Sequence, residues 1–168
     1  QETNTVLISG QGNKVTYTIS NSTNEDIENL KFKVINDDYI KLSNIITDSE
    51  NAEISLENKT VTIKKLDKLS DVAIDVSIMT NTEKDINNVK SYLNANVTVG
   101  EEKYRANEVV YTINKVNLVV NQESDTKDKY IKDGDEISYN VKIKNNSEIE
   151  LSNLTFSDTV PNGLTVET

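Results

Sequence analysis

The chain has 168 residues, 18 basic against 28 acidic side chains, a formal net charge of −10, and neither Cys nor His. Without Cys there is no disulfide scaffold, thiolate nucleophile or Cys-bearing zinc site; without His the usual general base and the commonest transition-metal ligand are gone. The acidic balance argues against nucleic acid and anionic membrane surfaces as partners, and no apolar run approaches the ~20 residues that span a bilayer.

In chain order, a turn at Gly10 to Asn13 leads into the alternating run Val15, Tyr17, Ile19, and a second run holds Leu30, Phe32 and Val34. A turn at Asn36 to Asp38 follows, then Ile54 with Leu56, the Asn58-Lys59 turn, and Val61 with Ile63. Val72, Ile74, Val76 and Ile78 form the longest alternation. Asn81 to Lys90 is the one stretch where a helix would fit, but it lacks an apolar face and reads as a loop. Leu93 to Val99 and Val109 to Ile113 come next; after the Asp133-Gly134 turn come Ile137 to Ile143 and the turn residues Pro161 to Gly163. Period-two alternation of Val, Ile, Thr and Tyr means strands with one face in a core and one in water. Seven or more such strands between turn signals predict an all-β fold, an antiparallel Ig-like β-sandwich.

The chain also repeats itself. Gly12-Asn13-Lys14-Val15-Thr16-Tyr17 aligns with Gly134-Asp135-Glu136-Ile137-Ser138-Tyr139, and Asn29-Leu30-Lys31-Phe32 with Asn153-Leu154-Thr155-Phe156, given a two-residue insertion in the later strand. Two matches in one order, at about one domain's spacing, predict an array. The expected division is residues 1–115, one near-complete sandwich whose first strand lies before Gln1, and residues 116–168, the N-terminal part of a second copy. A fragment of that second size rarely builds a sandwich core, so its open strands are expected to seek pairing.

The pattern Gly-Asp-x-Ile-x-Tyr-x-Val, Asn-Asn-Ser, then Leu-x-Phe-x-Asp-x-x-Pro-x-Gly-Leu resembles the DUF11-type repeat found in tandem in large bacterial surface and cell-wall proteins. Ile63 to Ile78 is similar to that family's mid-domain segment, and Ala106 to Asp125 to its domain crossing. The second copy keeps Asp158, Pro161, Gly163 and Leu164; the first has Val34 to Leu42 in that place, without Pro or Gly. Asn121 or Gln122 stands where many relatives carry a Lys. The resemblance implies an extracellular structural or adhesive module, with neighbouring repeats as partners.

Candidate sites are sparse. A Lys–Asn isopeptide bond needs a Lys facing the core, deprotonated by desolvation. Lys31, Lys33, Lys142 and Lys144 face outward by parity; Lys65 alone shares the parity of Val61 and Ile63, with a solvated Lys as the favoured alternative. Asp125, Asp128, Asp133 and Asp135 invite a Ca²⁺ reading, but Lys127, Lys129 and Lys132 are interleaved and a solvated loop is favoured. Asp37, Asp38 and Asp48 are equally unspecific. Sequons at Asn21, Asn58, Asn96, Asn145 and Asn153 follow from an Asn-rich composition. Tyr17, Tyr111 and Tyr139 lie at core parity; Tyr39, Tyr92 and Tyr130 are candidates for a binding surface.

No catalytic, cofactor or metal residue is therefore assigned. The leading expectation is a non-catalytic stiff spacer in a surface array. The alternatives are a fibre subunit completed by strand exchange between chains, and a loop-based carbohydrate- or protein-binding module. An enzyme stands last.

Overall fold

The computed structural model describes residues 4–124 and 132–166. It divides into two units, Gln1–Val116 and Asn117–Thr168, and the described residues form twelve strands and no helix.

In the first unit, β1 (Asn4–Ile8), β3 (Ile27–Asn36), β5 (Ala52–Ser55), β6 (Thr60–Leu66), β8 (Val89–Val99), β9 (Glu102–Arg105) and β10 (Val109–Asn114) make one sheet. Its order is β1-β10-β8-β3-β6-β5, with β9 paired to the far half of β8. β2 (Gly12–Asn21), β7 (Ser70–Thr80) and β4 (Ile40–Thr47) make the other, in the order β2-β7-β4. The chain passes back and forth between the sheets, so the fold is the expected β-sandwich. Every pairing is antiparallel except β1 with β10, which is parallel, Asn4 opposite Val110 through Ile8 opposite Asn114.

The alternating runs build the core as their parity dictates. Leu30, Phe32 and Val34 on β3 and Ile74, Val76 and Ile78 on β7 are fully buried, with Val72 nearly so. Tyr17 meets Phe32 across the sheets at a ring-centroid distance of 5.3 Å and a 59° tilt, a geometry worth about 0.5–1.5 kcal/mol beyond area burial. Both buried tyrosine hydroxyls, Tyr17 and Tyr111, lack a hydrogen-bond partner. Burial pushes the Tyr17 phenol up to about 12, the neighbouring Tyr111 adding to it. Burial also raises the Tyr111 phenol; the Asn13 side chain acts in the opposite sense, without completing a bond of full geometry. Since an unpaired buried hydroxyl costs its desolvation, Tyr17→Phe is expected to stabilise the unit by about 1 kcal/mol in urea titrations. A loss of stability would mean that the hydroxyl is satisfied in solution.

Four expectations need correction. Ile54 and Leu56 are exposed, because β5 is a short edge strand whose start alone, at Ala52, packs against the core, and Leu56 lies in the turn after it. Tyr139 and Ile143 do not reach a core: they stand 52% and 45% exposed. Both lie on β12 (Tyr139–Asn145), which among the described residues pairs only with β11 (Leu118–Ser124) of the second unit. The loop at residues 81–88 contains an unforeseen core residue, Ile86, which packs into the sandwich as an isolated apolar side chain in a polar stretch.

The fourth correction concerns the repeat. Gly10 and Gly134 have φ of 91° and 89°, whereas Gly12 is ordinary strand. A Cβ on Gly12 would lie 2.8 Å from the Ile78 carbonyl oxygen, so its role is close approach to β7 and not turn formation. The Gln11 amide donates to the Ile8 carbonyl as the Asp135 amide donates to Lys132. The amides of Ile8 and Lys132 in turn donate to the side chains of Gln11 and Asp135. Downstream, Asn21 and Asn145 each donate from Nδ2 to the carbonyl four residues on and accept from the amide two residues on. Asn29 and Asn153 both have positive φ, 54° and 55°. One constant offset relates all these pairs, so the structural match is Gly10 with Gly134 and no insertion is needed. The letters Gly-x-x-x-x-Tyr coincide two residues out of register.

Candidate functional site

Lys65 does not enter the core. The burial parity of β6 breaks after Ile63, and Leu66 takes the next inward position. The Lys65 ammonium forms ion pairs with Asp26 at 2.9 Å and Asp67 at 2.8 Å. Hydrogen bonds to Asp67, then Asp26, hold it protonated well above the usual lysine value. An isopeptide nucleophile needs the opposite shift, so Lys65 cannot serve as one. Lys31, Lys33, Lys142 and Lys144 are exposed, in line with strand parity.

The acidic groupings resolve into separate structural tasks. Asp37 accepts from the Tyr39 amide, the Ser91 hydroxyl and the Tyr92 amide at 3.0, 2.8 and 2.9 Å, tying the β3–β4 turn to β8. Asp48 accepts from the Ala73 amide at 2.9 Å, and Asp38 lies 3.9 Å from Lys84. Asp133 and Asp135 are exposed turn residues; Asp125 and Asp128 lie outside the described residues. Among the described residues no three carboxylates converge as a metal site would require. Asn21 is buried, its Nδ2 shared among the carbonyls of Glu25, Asp67 and Leu66, which leaves no amide free for a glycan. Tyr39 is partly buried against the core, Tyr92 is 42% exposed, and Tyr130 lies outside the described residues.

Four carboxylates that solvent reaches are held below their usual values: Asp26 by Lys65 and the Lys68 amide, Glu53 by Lys64, Asp75 by the Thr16 hydroxyl and then Lys14, and Glu83 by Lys41. Such groups bind protons less tightly folded than unfolded, so their stabilisation is present above the carboxylate range and lost as pH falls through the folded values. Exposure screens each of them. The Tyr17 phenol works at the other end: its stabilisation is present below the unfolded value near 10 and lost as pH rises toward about 12. With no His, the urea midpoint is expected to stay flat between about pH 6 and 9 and to fall below about pH 4 and above about pH 10. A midpoint that changed across the neutral range would contradict this.

Neither of the two best-formed depressions among the described residues is a closed cavity. One lies along Glu123, Ser124 and Ser138 to Val141, the other along Ser9, Thr82 to Ile86 and Lys115. The best-defined chemical surface is instead a sheet face. Cross-strand partners share a side. Lys31 sits between Thr62 and Thr98, and Thr98 pairs with Lys103. One step along, Lys33 sits between Thr60 and Asn96, and Asn96 pairs with Arg105. These residues occupy the outer face, because Phe32, Val61 and Val97 between them point into the sandwich.

No protein-family model matches the chain, and no curated protein matches it. Among solved structures, the C-terminal domain of the Streptococcus agalactiae AgI/II polypeptide BspA is similar at a TM-score of 0.53 and 13% identity, over 82% of this chain and 55% of that one. A further wild-type BspA C-terminal structure is similar at 0.52 and 12% identity, with the same coverage. The chain thus spans about half the length of these neighbours, and the likeness is one of fold. A family 123 glycoside hydrolase from Clostridium perfringens matches at a TM-score of 0.48 and 12% identity, over 68% of this chain and 23% of that one, which carries no inference about activity.

Proposed function

We propose that the chain is a non-catalytic structural and adhesive module of a bacterial surface or cell-wall protein, acting as a stiff extracellular spacer in a tandem array. The observation that carries this reading is the clamp between β1 and β10. In a parallel pair, tension entering at the start of β1 and leaving after β10 pulls the strands past each other, so five paired residues share the load at once. The Ser9 amide adds a bond to the Asn114 carbonyl at 2.8 Å. An antiparallel terminal hairpin would instead unzip one bond at a time.

Three further points support the reading. The turns of the first unit recur in the second at one offset, as repeated modules would have them. Lys115 to Val119, where the units meet in sequence, contains neither Gly nor Pro, which favours a stiff joint. The DUF11-like motif and the fold likeness to BspA C-terminal domains are in keeping with a surface role. The expected partners are neighbouring repeats. The lack of Cys and His removes most hydrolytic constellations.

Force spectroscopy on the chain tests it. Handles at the N terminus and after Asn114 load the clamp in shear; handles at Asn51 and Lys64, at the open end of the β5–β6 hairpin, unzip β5 from β6. The shear geometry is expected to hold several-fold higher force. Equal, low forces in both would sink the spacer reading. A second reading, a fibre completed by strand exchange, is favoured by the exposed Leu154 and Phe156 of the second unit, 55% and 57% accessible. Light scattering over a concentration series separates the two: polymers that grow with concentration favour the fibre, a constant monomer the spacer.

A further inference from the structure

The outer face of the larger sheet is basic although the chain is strongly acidic. It presents Lys31, Lys33, Lys103 and Arg105 at the corners of a lattice about 7 Å along the strands and about 10 Å across two strand spacings. These separations are close to one Debye length in physiological salt, about 8 Å, so the four potentials overlap. Of the carboxylates near the lattice, Glu53, opposite Thr62, is engaged with Lys64 at 2.7 Å and Glu108 with Arg105 at 3.3 Å. Lys31, Lys33 and Lys103 form no ion pair among the described residues. Like charges directly opposite on a sheet repel; here a Thr or Asn separates each pair across the strands, so the cations sit close without being cross-strand partners.

We propose that this face binds a linear anionic polysaccharide. The cations match spaced acid groups, and Thr60, Thr62, Asn96 and Thr98 between them supply donors and acceptors for sugar hydroxyls. β3, β6 and β8 each have strand partners on both sides, so this part of the face offers no free backbone edge for an extended peptide to join. Duplex nucleic acid fits less well: the chain has one Arg for bidentate phosphate contacts, and a net charge of −10 repels a large polyanion beyond the patch. The proposal stands whether or not the chain is an array spacer.

The test is binding of the whole chain to immobilised polygalacturonate oligomers, by interferometry, at low and physiological salt. The face variant is Lys31→Gln/Lys33→Gln/Lys103→Gln. A control of equal net charge is Lys41→Gln/Lys84→Gln/Lys115→Gln, three exposed lysines elsewhere on the unit. Thermal melts verify that both are folded. The expected result is salt-sensitive binding by the native chain, a loss of about tenfold in the face variant and less than about twofold in the control. Three outcomes overturn the proposal: no binding to the oligomers, equal loss in both variants, or tighter binding to poly-glutamate or oligo-dT than to the glycan.

Discussion

Phe32→Ala is expected to lower the unfolding free energy of the first unit by about 3–5 kcal/mol, and the matched change Phe156→Ala in the second unit by less than about 0.5 kcal/mol. The two residues occupy one place in the repeat, three positions beyond Asn29 and Asn153. Their surroundings differ. Phe32 is fully buried, flanked by Val61 and Val97 and packed at a tilt against Tyr17, so its loss removes transfer energy and leaves a cavity. Phe156 is 57% exposed, outside any strand. Urea unfolding followed by far-ultraviolet circular dichroism reads both. A cost for Phe156→Ala approaching that of Phe32→Ala would mean that the second unit is covered in solution, and the strand-exchange reading would gain accordingly.

Asn21→Ala is expected to cost about 2–4 kcal/mol. One buried side chain here serves five bonds: Nδ2 to the carbonyls of Glu25, Asp67 and Leu66, and Oδ1 from the Thr23 amide and hydroxyl. Truncation leaves the buried Leu66 carbonyl and several part-buried groups without this partner, each worth about 1–3 kcal/mol when no water replaces the bond. Asn145 makes only the local part of this set, at an exposed site, so Asn145→Ala is expected to cost under about 1 kcal/mol. Asn21→Asp offers a sharper check. Its carboxylate would face three carbonyls at neutral pH, and protonation at low pH returns one donor, so the penalty should shrink as pH falls. A penalty independent of pH would argue against the carbonyl cluster.

The fold was legible in the sequence where burial is two-layered and regular. Leu30, Phe32 and Val34, and Val72 to Ile78, alternate because each strand has a sheet opposite it. The same alternation misleads at Ile54 and Leu56, since parity marks a face but says nothing of whether a layer covers it. It misleads again at Lys65, where the strand ends and the inward place passes to Leu66. Ile86 was invisible because a single apolar residue in a loop has no period. The repeat was visible in letters and misplaced in register: the turn is fixed by backbone geometry at Gly10, which letter-matching at Gly12 and Tyr17 cannot detect. Outward-facing Lys31 and Lys33 could be read from parity. Their grouping with Lys103 and Arg105 could not, because it depends on β8 lying between β3 and β9.

The parallel pairing of β1 with β10 also sets a schedule. Ile8 leaves the ribosome long before Asn114, its partner, and at ordinary elongation rates the interval is roughly 5–20 s. Throughout that time β1 has no sheet to join, while Leu7, destined for the core, stays in water. The hairpin of β5 with β6 closes from local chain within microseconds of its synthesis. β1 is therefore made long before it can be placed, and a nascent chain halted before Val109 holds most of a sandwich without the strand on which β1 docks.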